Sequence, residues 1–140
     1  MRVMVIGKAT KDTEAGVLPD EKSLIEMGQF QEQLVKAGVL LAGEGLRASS
    51  MAKRVRFSGT RRTVIDGPFA ETKELIAGFM LWQVKSMEEA VEWVKRSPLV
   101  DGDVEIRRVF EDEDFAPSDP SGELRKKDQE LRRQAESGRP

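Results

Sequence analysis

The chain has no cysteine, no histidine and no tyrosine among its 140 residues. Without cysteine there can be no disulfide, no thiolate nucleophile and no Cys-type zinc site. Without histidine the side chain most used for proton transfer near neutral pH and for transition-metal ligation is gone as well. Any chemistry must therefore rest on carboxylates, Lys, Arg, Ser, Thr or backbone groups, and neither a metal nor a cofactor is expected. Long apolar runs are also missing: Met1 to Lys8 is too short for a signal peptide or a spanning helix, which leads to the expectation of a cytoplasmic protein. Charge of one sign is not in excess. With 34% charged residues and a net charge of −2, the surface has no overall preference for nucleic acid or membrane. The 39% hydrophobic content is enough for one core, so a single domain with an appendage is expected.

The apolar run Val3–Ile6 ends at Gly7 and reads as a buried strand. Pro19 and Asp20 open a helix to about Ala37, stopped by Gly38, with Leu24, Met27, Phe30 and Leu34 at helical spacing as its buried stripe. Val39–Ala42 restarts as a strand and Gly43-Glu44-Gly45 ends or bulges it. Arg54–Phe57 and Arg62–Ile65, joined through Ser58-Gly59, form a hairpin. A single helical turn between Ala70 and Ala77 precedes Gly78, and Phe79–Val84 follows as an apolar strand. Ser86 with Glu89 makes a capping box for a helix to about Arg96, and Val104–Val109 closes the domain as a strand. This order reduces to an α+β, ferredoxin-like βαββαβ plan with an inserted β-hairpin. Residues 1–116 form that domain. The charged remainder, 117–140, reads as a linker and a tail that is either disordered or a helical arm anchored by Leu124 and Leu131.

The most informative stretch is Asp66-Gly67-Pro68-Phe69, continuing Ala70-Glu71-Thr72-Lys73-Glu74. It combines turn chemistry, a carboxylate and an aromatic anchor directly after the β-branched pair Val64-Ile65. Taken with Leu41–Leu46, it resembles the DGPF branch of the YCII-related family, over roughly Met1 to Pro117. The resemblance implies two ferredoxin-like sheets packed face to face as a dimeric α/β barrel. That agrees with a separate argument: such a sheet has helices on one face only, and a strand as apolar as Phe79–Val84 needs cover on both. A homodimer is expected. Wider relatives are associated with a His-Asp pair, which cannot be carried over, since residues around Glu26 and Met27 stand where the histidine would be. The DGPF branch is associated with extracytoplasmic-function sigma factors, which implies a regulatory or accessory role.

Asp66 is the leading candidate for a functional carboxylate, because a rigid turn can aim it into a cleft. Its bland alternative is an Asx-type turn former that accepts from amides just downstream. Glu44, between two glycines, is the second candidate; its alternative is a strand-end bulge. Gly67, Pro68, Phe69 and Lys73 are the expected ligand-binding residues, with Lys73 offering charge to an anion or pairing with a neighbouring acid. The expected function is binding of an unidentified small molecule by a homodimer. If it catalyses, the classes open to it are cofactor-independent isomerase, lyase or hydrolase, with Asp66 or Glu44 as the base. The competing reading is a non-catalytic regulatory or accessory protein. Lys53, Arg54, Arg56, Arg61 and Arg62 form a local basic patch, but nucleic-acid binding is not expected without exposed aromatics or an overall basic balance.

Overall fold

The computed structural model describes residues 1–139, apart from the side chain of Lys73. One compact unit runs from Met1 to Arg108 and a second from Val109 onward.

In the first unit the strands are β1 (Arg2–Lys8), β2 (Leu40–Gly45), β3 (Lys53–Ser58), β4 (Arg61–Asp66), β5 (Ile76–Gln83) and β6 (Val104–Arg108). The helices are a single turn α1 (Lys11–Glu14), α2 (Glu21–Lys36) and α3 (Met87–Lys95). Four strands make one sheet in the order β2-β5-β1-β6, every neighbouring pair antiparallel. This is the ferredoxin-like order, reached because α2 and α3 each cross over to place two strands with one other between them. The β3–β4 hairpin forms a separate two-stranded sheet, closed by Gly59 at φ 61°.

Strand register decides what each face carries. Val3 pairs with Trp82, and Val5 with Met80 and Ile106. These residues share a core with Phe30 and Leu34 of α2 and Ala90 of α3, which places both helices on that face. Trp82 is 0% exposed, with Phe30 edge-on at 6.4 Å between ring centres. Trp82 is thus a wholly internal residue and adds nothing to the need for a covering subunit. Alternation sends Met4, Ile6, Phe79 and Leu81 to the other face.

Asp20 caps α2 by accepting from the Ser23 amide at 2.8 Å. Its buried stripe begins at Met27, since Leu24, one turn nearer the N-terminus, is 59% exposed. At the far end Gly38 takes φ 71°, the left-handed stop expected of it. Gly78 does not precede β5 but lies within it. It faces Gly7 and Gly45 directly across the two neighbouring strands, and the β1–β5 register shifts just beyond, between Gly7 and Lys8.

In the second unit, residues Asp112–Ser118 form a 3₁₀ turn and Glu123–Ser137 form α4. Asp119 starts that helix: its buried carboxylate accepts from the Leu124 and Arg125 amides and from Arg125 Nε. Pairs such as Asp128–Arg132, at 2.7 Å and four residues apart, support it. Leu124 and Leu131 are exposed. Among the described residues no helix is long and apolar enough to cross a membrane.

Candidate functional site

Three adjacent strands contribute glycine at the same level of the sheet: Gly45 opposite Gly78, and Gly78 opposite Gly7. Gly43 lies two residues back on the same face as Gly45. No side chains rise from this patch, and a cavity of about 480 Å³ on the helix-covered side is left unfilled above it. Its deeper wall is apolar, including Val5, Met27, Phe30, Met80, Trp82 and Val94. A Cβ on Gly45 would meet nothing within 4 Å, and one on Gly7 would meet only the Gly78 carbonyl at 3.7 Å. These glycines therefore keep space open rather than relieve a clash. Gly43 and Gly78 differ: a Cβ on Gly43 would lie 2.9 Å from Met80 Cγ, and one on Gly78 3.0 Å from the Glu44 carbonyl oxygen.

The polar part of the wall is the smaller one, and it includes Gln31 and Ser97. Thr10 and Thr13 line it, but their hydroxyls are engaged with each other's backbone, Thr10 Oγ1 accepting from the Thr13 amide at 3.2 Å and Thr13 Oγ1 from the Thr10 amide at 2.8 Å. Lys8 is the one cation among the described lining residues, and its ammonium sits 3.7 Å from Glu105. Glu44, Asp101 and Asp103 are the acids. Trp82 Nε1 is buried with no hydrogen-bond partner among the described residues.

Glu44 thus lines the cavity, yet the pleat pairs its side chain with Phe79 and, beyond it, Ile6, on the face away from the helices. What it gives the cavity floor is backbone.

Asp66, Gly67, Pro68 and Phe69 do not line this cavity. They are built around Ser49, in a 3₁₀ turn after β2. The Ser49 hydroxyl donates to Glu14 Oε1 at 2.5 Å and its amide to Glu14 Oε2 at 2.8 Å. The same hydroxyl accepts from the Phe69 amide at 3.1 Å. The side-chain bond and then the backbone bond from Ser49 hold the Glu14 carboxyl below its ordinary value, against a smaller opposing effect of burial. Gly67 donates its amide to the Ala52 carbonyl at 3.0 Å, and a Cβ on Gly67 would lie 1.7 Å from the Ser49 carbonyl oxygen. The Gly67-Pro68 bond is cis, and the Arg54 guanidinium stacks 3.9 Å above the Phe69 ring.

Asp66 does not accept from the amides that follow it, contrary to the Asx-turn expectation. It is the last residue of β4, opposite Lys53 on β3, and this cross-strand position presents it to the Lys53 ammonium at 2.6 Å. Its side chain is 73% exposed. The expected contribution of the Lys73 side chain lies outside the described residues.

A family model described as the YCII-related domain matches residues 1–113. The chain belongs to the YCII-related family. An uncharacterized protein of Rhizobium meliloti (strain 1021) is 36% identical over 76 residues, 54% of this chain. The match spans 61% of that relative's length, so it covers only part of it. Among solved structures, the 5-chloro-2-hydroxyhydroquinone dehydrochlorinase TftG of Burkholderia phenoliruptrix AC1100, in complex with 2,5-dihydroxybenzoquinone, covers 79% of this chain and 94% of its own. Its identity is 14% and its TM-score 0.45, a likeness that says nothing about what this YCII-related protein binds.

Sequence reasoning missed Ser49, Glu14 and the glycine floor. Glu14 and Ser49 lie 35 residues apart in short polar turns with no pattern joining them. The glycines do leave a signal, since one interrupts or ends each of three apolar strands, but at Gly43 and Gly45 the same signal fits a strand end or a bulge.

Proposed function

We propose that this YCII-related protein is a cytoplasmic homodimer that binds a small molecule in the glycine-floored cavity. The observation that carries this reading is the space itself: about 480 Å³ lies in the usual range for small-molecule sites, with a wall that is mainly apolar. Binding is favoured over catalysis because the two acids expected to do chemistry are placed elsewhere. Asp66 is paired with Lys53, and the Glu44 side chain belongs to the opposite face of the sheet. For the homodimer, the support is the far face of the sheet, where Met4, Phe79 and Leu81 stay half-buried around the already buried Ile6 and form an apolar strip that a second copy would cover further. Sedimentation at micromolar concentration is expected to give a dimer, and a monomer there would remove that part of the proposal.

The binding claim is tested by thermal shift against a panel of small metabolites, comparing the natural chain with Gly45→Leu. A ligand at a hundred times its Kd stabilises by about 2.7 kcal/mol, a rise of roughly 10 °C for a protein of this size. Gly45→Leu is expected to abolish the rise while folding normally, because the new side chain enters open space. Asp66→Asn and Glu44→Gln are expected to keep it. If either acid variant lost the response and Gly45→Leu retained it, the ligand would belong at the DGPF turn or the far face instead.

A further inference from the structure

Trp82 is the one member of the cavity wall with a buried donor left unsatisfied among the described residues. Buried indole N–H groups ordinarily find an acceptor, because leaving one unpaired away from water is unfavourable. The neighbours on its own face offer none: Val3, Val5 and Phe30 are hydrocarbon, and Met80 brings only a weakly accepting sulfur. The Thr10 and Thr13 hydroxyls are already engaged. Among the described lining residues no cation stands free of an acid to receive an anion, since Lys8 is beside Glu105, whereas Asp101 and Asp103 belong to the wall.

Resting on the cavity reading above, we infer that the ligand is a neutral, largely apolar molecule carrying one hydrogen-bond acceptor, which the Trp82 Nε1–H receives. The indole is fully covered, so the acceptor reaches it only by displacing a neighbouring side chain, and Met80, two residues along the same strand face and itself in the cavity wall, is the one we assign to that movement. Methionine is suited to that movement because its side chain is unbranched and has three rotatable bonds. Negative charge on the ligand is selected against by the acids, and a purely hydrocarbon ligand leaves the N–H unpaired.

Three probes of one shape separate these terms: 1-naphthaleneacetamide, 1-naphthaleneacetate and 1-ethylnaphthalene, titrated calorimetrically into the full chain. The acetamide is expected to bind about tenfold more tightly than either of the others, the size of effect that satisfying one buried donor produces. Trp82→Phe keeps the ring and removes the donor, so it should bring the acetamide down to the level of 1-ethylnaphthalene and leave the latter unchanged. In the natural chain the Trp82 indole N–H resonance, distinguished from that of Trp93 with Trp93→Phe, should move downfield with the acetamide alone. That resonance decides the matter by itself if Trp82→Phe does not fold. Equal binding of acetamide and ethylnaphthalene with no distinct indole shift would overturn the donor role while leaving the cavity intact. Tightest binding by the acetate would overturn the charge selection. If no probe bound, or if Gly45→Leu bound all three as well as the natural chain, the cavity reading would fall and this inference with it.

Discussion

Replacing Gly67 with alanine is expected to destabilise the fold by about 3 kcal/mol, the upper part of the range for forcing extra volume into a packed site. The new methyl would be built 1.7 Å from the Ser49 carbonyl oxygen. Both partners are backbone, so no side-chain rotation relieves the overlap. Either the 3₁₀ turn at Ser49–Met51 moves, or the hairpin swings away and gives up the Gly67 amide bond to Ala52 at 3.0 Å. Gly67 is not among the residues with positive φ, so its requirement is spatial rather than conformational. Gly45→Ala is the matched control. Its Cβ meets nothing within 4 Å, and reducing the freedom of the unfolded chain should leave it neutral or slightly stabilising, by about 0.5 kcal/mol. Urea melts of the two variants measure the difference directly. Equal midpoints would show that the turn does not pack on Ser49.

This contrast explains how the DGPF stretch could stand out in the sequence and still be misread. Its composition announced a rigid turn, and the turn is there. What the composition could not carry was the neighbour. Ser49 sits 20 residues upstream of Phe69, in a segment with neither apolar periodicity nor a turn signature of its own. The carboxylate that the turn was expected to fix is instead taken by Lys53, whose position opposite Asp66 follows from hairpin register. Glu44, the second candidate, parts from the cavity for a related reason. Paired glycines do allow close approach, but in a strand the residue between them faces the opposite way, so the space and the acid fall on different sides.

The order of elements was more legible, because it depends on local signals that the tertiary structure leaves in place. The apolar run Val3–Ile6 forms β1 with Val3 and Val5 in the core, Asp20 and Gly38 bracket α2, and Ser86 accepts from the Glu89 amide at 3.1 Å to start α3. Such signals are settled within a few residues. Gly78 could not be read that way, since a glycine that ends a strand and one that faces a cavity look the same until the partner strands are known. The helix at Glu123–Ser137 was equally open, because its sequence lacks an apolar stripe and its support comes from charge pairs and the Asp119 cap.

Ser49→Ala should show the second large effect, and its pH dependence identifies the cause. The serine hydroxyl donates to a carboxylate at Glu14 and accepts from the Phe69 amide, so its loss removes a charge-assisted bond and leaves that amide without its acceptor. At pH 7 the expected destabilisation is roughly 2 kcal/mol. The Glu14 carboxyl is held below its ordinary value near 4.5, first by the Ser49 hydroxyl and then by the Ser49 amide. A depressed acid contributes stability that is present above its unfolded value and disappears as pH falls through the folded one. The gap between natural chain and variant should therefore be widest above pH 4.5 and narrow on acidification, once Glu14 is protonated in both. Glu14→Ala should reproduce most of the loss, and the double variant should cost less than the sum of the singles by about 1 kcal/mol or more, as expected for two groups in direct contact. Denaturant melts at pH 7 and pH 3.5 provide all of these values. A gap that stayed constant with pH, or singles that added without coupling, would mean that Ser49 anchors the DGPF turn through the Phe69 amide alone and that Glu14 is a bystander.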